Sequence, residues 1–205
     1  MPRRAAAESQ RDRRAEILAA ALDVFAEQGF AAARLDDVAA KAGVAKGTLY
    51  LHFASKQDLF EKLVSGEAAP VLGQLEGLVR HAHGPTIELV AALQAIFVRE
   101  VLGTRRKDIV RLVISEGPRF PAIAQFWHRE VVSKGLAVLS ALARRAAARG
   151  EIEGDALVRF PHLFMAPLLM AMIWDGLFSP FAPLDVPALL QAHRQVLFPS
   201  GGTKP

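Results

Sequence analysis

Three side chains of complementary chemistry stand close together in the segment Leu35 to Phe53, which reads LDDVAAKAGVAKGTLYLHF. Lys46 offers a cation, Thr48 a hydroxyl with a methyl, and Tyr50 a phenol. Such a set suits phosphate oxygens and the base edges of a major groove, which present donors, acceptors and thymine methyls. The surrounding window, 38–57, holds Lys41, Lys46, Lys56 and His52 and no acid. The other polar residues do not assemble into a reactive centre. His81 and His83 are two apart, so a helix points them in different directions, and His128, His162 and His193 lack a matching Cys or carboxylate pattern. No nucleophile elbow, phosphate-cradling loop or dinucleotide fingerprint occurs. The chain is therefore expected to hold no metal or cofactor and to catalyse no reaction.

Residues of this kind need elements that present them on one side. Helical periodicity runs through the whole chain, and no alternating run of β-branched residues interrupts it, so the fold class is all-α. A first helix is expected over Ser9–Gln28, with Ile17, Leu18, Ala21, Leu22 and Phe25 on one face. Gly29 should end it in a left-handed cap, with Phe30 folding back. A second helix spans Leu35–Ala42, with Leu35, Val38, Ala39 and Ala42 at helical spacing. A third, Lys46–Leu51, follows Gly43 almost at once. Two short helices joined by a glycine-containing turn form a helix-turn-helix. Ala39 is small where the helices cross, Gly43 can take a positive φ, and Val44 and Leu49 pin the third helix. Lys46, Thr48 and Tyr50 are left facing outward. Taken alone, the same pattern also suits a helix pair that never meets DNA, with Tyr50, His52 and Phe53 in a core.

The ordered match decides between these. GVAKGTLYLHFASKQDLF, together with Ile17–Phe30 and Leu35–Val64, resembles the TetR family of bacterial transcriptional regulators. The resemblance implies a three-helix DNA-binding head (1–66) and a fourth helix linking it to a helical ligand-sensing and dimerisation domain (67–200); the residues themselves open that fourth helix near Ser55, whose hydroxyl can cap it. It implies a homodimer on double-stranded operator DNA, acting as a repressor that a ligand releases. By the same analogy, Lys46, Thr48 and Tyr50 meet DNA from the recognition helix, and His52 touches the backbone. Lys56 binds phosphate, and Gly47 lets the helix backbone come near. Two positions depart from the family pattern. Arg34 and Ala45 stand where a hydroxyl commonly caps the second and third helices, and such a cap is worth about 1 kcal/mol. Asp36 and Asp37 partly compensate at the positive end of the second helix.

Beyond Gly66–Pro70 the expected helices are Ala69–His81, Thr86–Gly103, Arg105–Glu116, Ala122–Arg149, Asp155–Phe178 and Val186–Leu197, with Asp185 capping the last. Asp155–Phe178 is apolar nearly all round, so it must be covered on several sides. Pairing of the last two helices with a second copy would do this, and a two-fold dimer suits half-sites about 34–36 Å apart. Burial inside a monomer is the other solution. Pro161 and Pro167 should kink or delay this helix. Phe97, Phe120, Phe126, Trp127, Phe164, Met165 and Leu168 are candidate walls of a cavity for an apolar or amphipathic effector, and equally a filled core. Glu116 would orient a polar or cationic ligand group, or form a surface ion pair with a neighbour such as Arg119.

Bulk properties fit these expectations. The 205 residues are 52% hydrophobic and 22% charged, with a formal net charge of +4. That is a globular composition with a mild preference for polyanions. The absence of cysteine excludes disulfides and thiolate chemistry and suits a reducing cytoplasm. Arg3, Arg4, Arg11, Arg13 and Arg14 make the N-terminus polar, without the apolar core of a signal peptide. They are expected to reach DNA or to remain a solvated tail. The stretch from Phe160 to Trp174, broken by two prolines, is too short to cross a membrane.

Overall fold

The computed structural model describes residues 2–81 and 83–199, with side chains from residue 12 onward. The expectations for the Arg3, Arg4 and Arg11 side chains and for the tail from Ser200 to Pro205 lie outside the described residues. Among the described residues every regular element is a helix. The chain forms two compact units, one of residues 1–69 and 108–130, the other of 70–107 and 131–205.

The first unit is built on α1 (Pro2–Ala32), α2 (Leu35–Lys41), α3 (Lys46–His52) and the opening of α4 (Lys56–Arg80). Its later segment holds most of α6 (Arg106–Glu116) and α7 (Pro121–Trp127). Helix α1 breaks at Gly29, whose φ of 75° and ψ of 167° lie beyond the left-handed helical region, in a conformation essentially reserved for glycine. The reversal brings Phe30 back onto Phe25, ring centroids 5.6 Å apart. Phe60 of α4 closes an aromatic triangle with both, at 6.2 Å and 5.7 Å. Ile17, Ala21, Phe25, Val38, Leu49, Phe53, Leu59, Phe60 and Val64 are essentially sealed from solvent. Helix α4 opens on a Ser55 N-cap: Ser55 Oγ accepts the Asp58 N–H at 3.0 Å, and Asp58 Oδ2 accepts the Ala54 N–H at 3.0 Å.

Sequence punctuation predicted a new helix near Ala69, yet α4 runs unbroken through Pro70. Proline forfeits one intrahelical hydrogen bond. Leu63 and Val64 before it, and Val71 and Leu72 after it, are buried.

The second unit contains the rest of α4, α5 (Thr86–Phe97), α8 (Ser133–Ala148), α9 (Ala156–Arg159), α10 (Ala166–Leu177) and α11 (Val186–Leu197). A π-helical segment, Val98–Leu102, extends α5, and another, His128–Val132, separates α7 from α8. The expected single helix over Asp155–Phe178 is instead three pieces, with a 3-10 turn at Pro161–Phe164 between α9 and α10. Phe160 (φ −128°, ψ 69°) leaves helical geometry because it precedes a proline, and Pro167 falls in the first turn of α10, where its missing N–H costs nothing. The core of this unit joins Leu89, Val90 and Leu93 of α5 to Leu139, Leu142 and Ala143 of α8, with Phe164, Leu168, Leu190 and Phe198. Asp185 caps α11 as expected, accepting the Ala188 N–H at 3.0 Å.

Candidate nucleic-acid interface

Helix α2 ends on a Schellman motif. The Gly43 N–H bonds to the Ala40 carbonyl at 3.2 Å and the Val44 N–H to the Ala39 carbonyl at 3.0 Å, with Gly43 at φ 65°. That turn sets the direction in which α3 departs. Leu49, with no solvent exposure, anchors α3 inward, and Phe53 behind it is equally buried. Neither α2 nor α3 has a side-chain cap; Arg34 and Ala45 hold the extended cap conformation without supplying the bond.

The outward face of α3 carries four of the sequence candidates. Lys46, Gly47 and Tyr50 are exposed and Thr48 is half-buried. Nothing lies within 4 Å of a Cβ built on Gly47, so the helix backbone is open to close approach there. Lys46 Nζ donates to Asp36 Oδ2 of α2 at 2.8 Å. This hydrogen bond, with the charge of the same carboxylate, holds the ammonium above its ordinary pKa. The pair is exposed, so exchanging Asp36 for a phosphate costs little. His52 is half-buried, and its carbonyl accepts a bond from Lys62 Nζ at 3.3 Å.

Lys56 is engaged within the first unit. Its ammonium donates to the carbonyls of Phe30 at 2.5 Å, Ala31 at 2.9 Å and Ala33 at 2.9 Å. It also lies 4.8 Å from the Phe30 ring centroid. Three donors meet three acceptors, which closes the corner between α1 and α2. Burial pushes its pKa below the usual lysine value, and the charge of Glu116 partly opposes this. Glu116 sits in the same unit, with Oε1 2.8 Å from where a Gly29 Cβ would stand and Oε2 buried without a hydrogen-bond partner.

The structure divides the candidate cavity residues. Phe97, Phe164, Met165 and Leu168 share the core of the second unit. Glu116, Phe120, Phe126 and Trp127 belong to the first, where Phe120 packs edge-on against Phe30 at 5.1 Å. Among the described residues no group of three or more His, Cys, Asp or Glu can hold a metal ion, and no helix is long and apolar enough to cross a membrane.

One residue of this outward face escaped the sequence reading. Leu51 is 86% exposed, the highest value among the exposed large apolar side chains. A signal for it existed: at about 100° per residue, burying Leu49 turns both Gly47 and Leu51 to the opposite pole of α3.

Comparison with known proteins fits this geometry. Residues 17–63 match the model for bacterial regulatory proteins of the tetR family, and residues 75–191 match the tetracyclin repressor-like C-terminal domain. The chain is similar to the HTH-type transcriptional repressor BepR of Brucella suis, 30% identical over 83% of this chain and 81% of that protein. It is also similar to the HTH-type transcriptional activator FasR of Mycolicibacterium smegmatis, 34% identical over 42% of this chain. That match spans only 39% of FasR. Among solved structures, FadR of Bacillus subtilis in complex with stearoyl-CoA superposes with a TM-score of 0.73 at 21% identity, covering 91% of this chain and 98% of that one.

Proposed function

Because the chain belongs to the tetR family of bacterial regulatory proteins, we propose that it is a ligand-responsive transcriptional regulator, a repressor that binds a palindromic operator as a homodimer and works in the cytoplasm. The observation that carries this is the α2–turn–α3 geometry, which buries Leu49 and turns Lys46, Gly47, Thr48 and Tyr50 outward. In this reading Lys46 moves from Asp36 to a phosphate. Gly47 admits the helix to the groove floor, Thr48 and Tyr50 meet base edges or backbone, and His52 touches backbone. Lys56 acts from behind, holding the α1–α2 corner in place.

The homodimer forms through α10 and α11. Leu169, Met170, Ile173 and Leu177 of α10 and Val196 of α11 are apolar side chains exposed in the single chain, and exposed apolar area gathered on the last helices supports an interface there. The effector is a small apolar or amphipathic molecule. The aromatic and methionine-bearing core of the second unit, with Phe97, Phe164, Met165 and Leu168, supports that class, as does FadR's complex with stearoyl-CoA. Release from DNA requires the effector to bind one dimer state more tightly than the other, and a hundredfold loss of operator occupancy needs about 2.7 kcal/mol of coupling.

Selection of duplexes from a random pool by the purified protein tests the proposal. Wild type should enrich one near-palindrome, and Lys46→Ala/Tyr50→Ala should enrich none. Failure of the wild type to enrich any duplex at low salt would refute it.

A further inference from the structure

We propose that Leu51 is a specificity-determining residue that reads the C5-methyl group of one thymine in each operator half-site. The proposal rests on the regulator reading above and adds a contact that the polar candidates do not supply. With Leu49 fully buried, positions 47 and 51 lie about 160° round the helix from it, one turn apart on the outermost line of α3. Position 47 carries no side chain and nothing within 4 Å of where a Cβ would be. A helix entering the groove along this line therefore meets DNA with bare backbone at one turn and the Leu51 isobutyl group at the next.

Those two positions are separated by about 6 Å along the helix axis, close to two base-pair steps of 3.4 Å. Lys46, Thr48 and Tyr50 flank that line and can supply the hydrogen bonds. Leu51 has none to give, so phosphate and sugar contacts offer it little. The apolar feature exposed on a major-groove edge is the thymine methyl. Leaving such a side chain 86% exposed in the free protein wastes apolar area that a methyl contact would recover. Its pole position also means that its removal disturbs no packing inside the unit.

Deoxyuridine scanning tests this, because uracil differs from thymine only by the methyl group. Each thymine of the selected operator is replaced in turn, and affinity is measured for wild type, Leu51→Ala and Leu51→Met. Wild type should lose roughly fourfold for one half-site at a single symmetry-related position, the value of one buried methyl group. Substitution of both half-sites should cost roughly fifteenfold if the two add. Leu51→Ala should bind thymine and uracil operators alike, and Leu51→Met should restore most of the discrimination. A uracil penalty that persists unchanged in Leu51→Ala, or no penalty anywhere in wild type, overturns the assignment while operator binding itself keeps the regulator reading intact. If no duplex is bound, the regulator reading falls and this inference falls with it.

Discussion

The two lysines of the head divide a task that a linear motif would assign to both. Lys46 is held by one exposed carboxylate, whereas Lys56 is held by three backbone carbonyls. Their substitutions should therefore fail in different assays. Lys46→Ala is expected to leave the thermal midpoint unchanged and to reduce the salt slope of operator binding by about 0.9 for each head, as one phosphate contact is lost. Lys56→Ala should leave that slope unchanged and instead cost about 1–3 kcal/mol of unfolding free energy, because partly buried carbonyls lose their donor. Denaturant melts and filter binding across a salt series read both outcomes. A reduced slope in Lys56→Ala would return that residue to the phosphate contacts.

At the scale of elements, the helices of the head are punctuated unevenly. Helix α4 is capped by Ser55 and Asp58, whereas α3 starts from Ala45 at φ −63°, ψ 142° with no side-chain bond. That backbone already suits an N-cap, so Ala45→Ser should stabilise the chain by about 0.5–1 kcal/mol in urea melts. In the second unit, α5 and α11 meet through a polar network. Gln94 Nε2 lies 3.2 Å from His193 Nδ1, His193 Nε2 lies 3.0 Å from the Leu163 carbonyl, and Arg194 donates to Gln94 Oε1. The geometry suits a neutral imidazole that accepts from Gln94 and donates to Leu163. Burial, with the neighbouring Arg194 charge, holds the His193 pKa below its ordinary value, and the Leu163 bond opposes this in part. The folded-state pKa is thus the lower of the two, and the unfolded chain takes up the proton first as pH falls. The corresponding stability is present above the unfolded value of about 6.5 and is lost as pH drops below it toward the folded value. The thermal midpoint should fall between pH 7.5 and pH 5, and His193→Gln should flatten that decline.

For the whole molecule, the apolar face of α10 and α11 carries the clearest expectation. Ile173 is exposed in the single chain, between Met170 and Leu177. Ile173→Asp should give a folded monomer by light scattering and circular dichroism, since Ile173 is 40% exposed and the sealed positions of α10 are Leu168, Ala171 and Met172. Operator affinity should fall roughly a hundredfold or more, because two tethered heads share an effective concentration that a lone head lacks. A dimer that persists in this variant would move the interface away from α10. Effector and operator must also oppose each other equally, as linkage requires.

The sequence by itself determined the local devices: the glycine turn at Gly43, the caps at Ser55 and Asp185, the inward Leu49 and the outward Lys46 and Tyr50. Each is settled by a handful of neighbouring residues whose conformational preferences agree, so periodicity and turn chemistry were enough. Even Leu51 was legible in that register once Leu49 was taken as the buried pole. Tertiary structure alone decided which partners distant groups choose. Lys56 finds carbonyls 23 to 26 residues earlier in the chain, Glu116 comes to rest beside Gly29, and Gln94 meets His193 across 99 positions. It also carried α4 through Pro70 and cut the expected Asp155–Phe178 helix into three pieces. The reason is energetic: a proline or an unpaired ammonium has several tolerable local outcomes, and the packing of remote apolar faces selects among them.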